Sequence, residues 1–135
     1  MTLSRALLAG VLYAIAVFAA GFVLGVLRVL VLAPAVGEGM AVLIELPVIL
    51  AVAWFVSGAV ARRLSVPPAV RPRLLMGGAA LVVVLAADLA VGLFLLGQPV
   101  EAVAARYATA PGLVGLAGQL VFAAIPLLQV RRRPQ

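Results

Sequence analysis

The chain contains no cysteine and no histidine. Disulfides, thiol nucleophiles and the usual zinc, haem and copper ligand sets are therefore excluded, and no cofactor is expected. Lysine is also missing: all ten basic residues are arginine, set against four acids, for a net charge of +6. Charged residues make up only 10% of the 135 and aromatics 6%, where a soluble domain is about a quarter charged. The few serines, Ser4, Ser57 and Ser65, have no general base near them in sequence, so no nucleophile is assembled and the protein does not read as an enzyme.

What fills the chain is apolar. Hydrophobic residues account for 67%, and the mean hydropathy is +1.32. That composition excludes a soluble enzyme, a disordered tail and a nucleic-acid reader. About 90 apolar residues are close to what four bilayer-spanning helices consume. Breaks rich in Pro, Gly or charge fall at 33–39, 62–73 and 97–111. They leave four spans, about 6–32, 40–61, 74–96 and 112–130, in one domain. Lipid offers no partner to an open backbone, so all four are expected to be helices in an all-α integral membrane bundle. The first span has Arg5 and a small-residue stretch at Val17-Phe18-Ala19-Ala20, as a signal peptide would. Its apolar run continues to Leu32, past the length of a signal core, and predicts an uncleaved helix.

Orientation follows from arginine. Arg5, Arg62, Arg63, Arg71, Arg73, Arg131, Arg132 and Arg133 fall on one side, and Arg106 on the other. The positive-inside rule then predicts both termini and the middle loop in the cytoplasm. The middle loop, Arg62 to Arg73, reads as a stiff Pro-rich strap. Its four arginines, with Arg131, Arg132 and Arg133, are candidates for contact with anionic headgroups or act as topology determinants alone. The two hairpins show no convincing repeat. Their one parallel is a proline followed by an acid in each outward loop, Pro34 to Glu38 and Pro99 to Glu101.

Charges inside a span cost several kcal/mol and need partners or water. There are three: Arg28, Glu45 and Asp88. Arg28 and Glu45 lie about equally far from the outer ends of antiparallel neighbours, which predicts an ion pair between them. Asp88 lies deeper, about level with Gln119, its expected hydrogen-bond partner. A polar seam is thus expected from Glu38 through Glu45, Arg28 and Asp88 to Gln119, serving either as a structural staple or as an ion or proton path. Pro47 removes a helix donor beside Glu45 and marks the expected helix break. Pro126 reads as a bend, and Tyr13 and Trp54 as core. Gly21 and Gly25, and Gly112, Gly115 and Gly118, allow close helix approach within the chain or between copies.

The stretch Gly25 to Leu30 with Arg28, followed by Pro34, Gly37-Glu38 and Ala41-Val42-Leu43-Ile44-Glu45-Leu46-Pro47, resembles a pattern in small four-helix bacterial inner-membrane proteins of uncharacterised function. The resemblance covers about 25 residues and implies that the Arg28 and Glu45 region is the signature of that group. The polar seam ends near midplane, which favours an accessory or interaction subunit of a membrane complex or homo-oligomer; the alternative is a small oligomeric transporter or channel for protons, ions or a small solute that uses Arg28, Glu45 and Asp88.

Overall fold

The computed structural model describes residues 2–132, which are helical with no strand. Helix α1 (Thr2–Leu27) runs without a break into a π-helical segment (Arg28–Leu32) and a short helix α2 (Ala33–Val36). Gly37, at φ 89°, turns the chain into α3 (Glu38–Arg63), a left-handed conformation that suits a residue without Cβ. The second half repeats this order. Helix α4 (Val70–Ala90) continues into a second π segment (Val91–Leu95), followed by the short α5 (Val100–Arg106) and then α6 (Ala110–Arg132). Four stretches are long and apolar enough to cross a membrane: Leu3–Val36, Glu38–Arg63, Val70–Leu95 and Gly112–Val130. They overlay the segments expected from the sequence.

Three pairs of contacts fix the directions. Gly21 faces Ile49 while Arg28 faces Glu45, so α1 and α3 are antiparallel. Gly77 meets Ala123 while Asp88 meets Gln119, so α4 and α6 are antiparallel as well. Leu46 touches Gly118 and Ser57 bonds Gln129, which makes α3 and α6 parallel. The four helices form a ring in which α1 packs on α3 and α4, and α6 on the same two.

Close packing is confined to the arginine-rich end. There the core is built from Ala6, Ala9, Tyr13, Ala14, Ala53, Ala61, Met76, Ala80, Phe122 and Ile125. Small residues bring the backbones together: a Cβ on Gly10 would strike the Met76 carbonyl, and one on Gly77 the Ala123 carbonyl. Pro126 has no N–H, so it leaves the carbonyl four residues earlier, that of Phe122, without its helical partner. The Tyr13 hydroxyl donates to that carbonyl at 2.7 Å, and the two rings stack at 4.4 Å. Ser57 donates to Gln129, whose amide donates in turn to the Trp54 carbonyl.

Two expectations are corrected here. The segment from Arg62 to Arg73 is no strap: α3 carries through Arg63, and α4 begins at Val70, so Arg71 and Arg73 are helical. Arg73 is not at the lipid surface but 1% exposed, donating to the carbonyls of Val66, Pro67 and Pro126. A guanidinium with five donors serves several carbonyls at once, here two from the bend into α4 and one from α6. Arg5, Arg62, Arg63 and Arg71 are exposed at this end, and Arg131 and Arg132 close α6 there. Arg133 lies outside the described residues. The other correction is Pro47, which does not break α3. Its ring faces outward on an exposed position, and only one helical hydrogen bond is lost. The irregular points are instead the two π segments.

The glycines of α4 provide a paired test. Gly77→Leu should destabilise the folded protein by about 1–3 kcal/mol or more through overpacking against α6. Gly78→Leu, whose side chain enters open space, should be tolerated. Thermal unfolding of the two purified variants in one detergent checks the order.

Candidate functional site

Away from the packed end the ring opens around a cavity of about 1040 Å³. Its floor is formed by Val17, Ala53, Val84 and Phe122, the outer edge of the core. Its mouth lies among Glu38, Leu96, Arg106 and Thr109, at the helix ends opposite the arginine-rich end. Most of the wall is apolar, with Phe18, Phe22 and Leu116 prominent. Into this wall the sequence sets the ionisable groups singled out above.

One wall carries Arg28. It is the first residue of its π segment, where the wider turn sets it off the regular helical face. Its Nη1 donates to Glu38 Oε2 at 2.6 Å, and its Nε lies 2.7 Å from Glu45 Oε1. The Nε–H is poorly aligned with that carboxylate, so the second contact is Coulombic rather than a formed hydrogen bond. Glu38 is half exposed and opens α3, where the helix dipole also favours a negative charge. Glu45 is better shielded, at 17% side-chain exposure.

The other wall carries Asp88 and Gln119, and the Gln119 amide donates to Asp88 Oδ2. Fifteen positions separate Asp88 from Arg73, about 22 Å of helix, whereas Arg28 is about 35 Å along α1 from Arg5. Asp88 is therefore the deeper site. The Gln119 carbonyl oxygen is buried without a donor. Tyr107 faces Asp88 from the connection between α5 and α6. Burial first, and then the negative charge of Asp88, raise its hydroxyl above the ordinary tyrosine range, so it stays a neutral donor. Gly92, inside the second π segment, has room for no side chain because Val103 and Arg106 of α5 press against it.

The expected seam is thus two clusters rather than one. Among the described residues, Arg28 binds Glu38 and Glu45 and makes no contact with Asp88, which makes no ion pair of its own. The reason is saturation: two carboxylates already hold the guanidinium on its own side of the cavity. Pro47 sits on the outer face of α3 and does not line the cavity. Sequence reasoning missed Arg106, Tyr107 and Thr109 as lining residues, because they lie in a connection whose folding back over the bundle has no periodic signal.

The two carboxylates on Arg28 should not be equal. Glu45→Gln leaves a half-shielded cation with one exposed partner and should cost roughly 1–3 kcal/mol, while Glu38→Gln, at the wet rim, should cost less than about 1 kcal/mol. Unfolding of both variants in detergent gives the order, and the reverse order would remove Glu45 as the main counter-ion. No known protein family, curated protein or solved structure matches the chain, and its function is read from this arrangement alone.

Proposed function

We propose that this protein is a small multi-pass protein of a bacterial inner membrane, with both termini cytoplasmic, that takes up a small solute into a cavity facing the outer side and belongs to the transport class. The orientation rests on the eight arginines at one end against Arg106 at the other. The observation that carries the solute reading is the cavity itself: a mostly apolar space with a few converging polar groups at its walls is the usual form of a small-molecule site. Its volume is far more than a proton or a bare ion needs. Charged groups within a span are costly to keep, and Arg28, Glu45 and Asp88 line the open space, whereas Arg73 is held in the packed end by backbone carbonyls.

A second reading has support of its own. The arginine-rich half is closed by Tyr13, Phe122, Met76 and buried Arg73, so this conformation holds no passage through one protomer. An accessory or interaction subunit, in a larger complex or a homo-oligomer, needs no passage.

Gly115 allows a test, because it lines the cavity and a side chain there meets open space. Native mass spectrometry of the protein extracted gently from its own membrane is expected to show the chain with a bound small molecule, and Gly115→Trp should lose that mass while keeping the fold. A stoichiometric second protein retained by both forms, with no small-molecule adduct, would favour the accessory reading instead.

A further inference from the structure

The charge balance of the cavity specifies what it takes, given the solute reading above, on which this inference rests. Five ionisable side chains other than Tyr107 line it: Arg28, Glu38, Glu45, Asp88 and Arg106. With all of them ionised the cavity carries one negative charge in excess. The excess is not spread evenly. Arg28 is held between two carboxylates and has no charge to offer an anion. Arg106, exposed at the rim, acts on Asp88 only through space and forms no ion pair with it. Asp88, the deepest charge, has no ion-pair partner within 4.0 Å among the described residues.

The hydrogen-bonding chemistry around Asp88 points the same way. Gln119 turns its amide nitrogen to the carboxylate, since a carboxylate only accepts. Its carbonyl oxygen is left buried with no donor, at a cost that an N–H would relieve. A carboxylate that already accepts from Gln119 and faces the Tyr107 hydroxyl thus lies beside a carbonyl short of a donor. A metal ion does not suit them: among the described residues no group of three or more acidic ligands is gathered, and hard cations take six or more oxygens. The apolar wall, with the rings of Phe18, Phe22 and Phe122, suits a hydrocarbon or aromatic body and attracts a cation over its faces.

We propose that the cavity binds a monovalent amphipathic organic cation carrying N–H donors, with Asp88 as its counter-ion and the Gln119 carbonyl as a second acceptor. The apolar body lies along the phenylalanine-lined wall, and the Arg28 cluster stands apart as a structural pair beside the mouth. A single positive charge there restores neutrality to the cavity.

The probe is 9-aminoacridine, a fluorescent aromatic monocation with N–H donors, titrated into full-length protein in phosphatidylcholine nanodiscs, with empty nanodiscs subtracted. The anionic amphiphile 8-anilinonaphthalene-1-sulfonate is titrated in parallel. Saturable binding of the cation and none of the anion is expected. Asp88→Asn should weaken cation binding about tenfold or more, the loss of one charge-assisted contact, and Gln119→Leu by a smaller factor. Glu101→Gln, outside the cavity lining, should change nothing, and circular dichroism confirms that each variant is folded. Unchanged affinity in both Asp88→Asn and Gln119→Leu, equal binding of the anion, or no saturable binding of the cation overturns the inference. If Gly115→Trp still blocks whatever does bind, the solute reading survives that failure. Binding that persists undiminished in Gly115→Trp removes the solute reading together with the inference.

Discussion

Everything in this molecule depends on how closely helices can approach where the hydrophobic effect between them is absent. Lipid tails are as apolar as leucine, so helices in a bilayer associate through close contact and hydrogen bonds. The chain concentrates both at one end. Gly10 and Gly77 let backbones touch, the alanines around Tyr13 fill the narrow core, and Tyr13, Ser57, Gln129 and Arg73 tie the helices across the ring. Beyond Val17 and Phe122 glycines such as Gly21 and Gly115 line open space instead of meeting a facing backbone. Helices pinned at one end then enclose space at the other, and the cavity begins where backbone-to-backbone contact stops.

Proline takes part in that pinning in an unexpected way. Pro126 lies inside α6 and by itself only weakens the helix. Because it frees the Phe122 carbonyl, it creates an acceptor facing the centre of the bundle, and Tyr13 reaches it from the opposite side of the ring. Arg73 uses the carbonyl of Pro126 itself. The missing donor thereby joins α1 to α6, and one turn further along the same helix Arg73 joins α4 to it.

The four helices were legible in the sequence because a 20-residue apolar run has few alternative fates. The level placement of Arg28 and Glu45 was legible too, since a rise of 1.5 Å per residue and a tight turn fix their relative height. Asp88 and Gln119 could be matched on the same ground. What the sequence did not disclose has a common cause. The burial of Arg73, the continuity of α3 through Pro47 and the separation of Arg28 from Asp88 all depend on which way a side chain points around its helix, and an almost uniformly apolar helix has no polar face from which to read that rotation. The repeated order of long helix, π segment, short helix and long helix is invisible for a similar reason, as the two halves share hydropathy and geometry but little residue identity.

The π segments have one more consequence. Each contains a wider turn with one residue more than an α-helical turn would hold, and each lies between the pinned end and the mouth. An α-helix advances about 100° per residue. Were either segment to resolve into regular α-helix by passing its surplus residue outward, the helix beyond would revolve by about that angle while the pinned core stayed in place. For the first segment this would turn α2 and the chain leading to Glu38 relative to Arg28, and for the second it would move the ledge on which α5 rests. The stored residue thus gives each half of the bundle its own axle, on which the mouth can be reshaped without melting a span or separating the helices below.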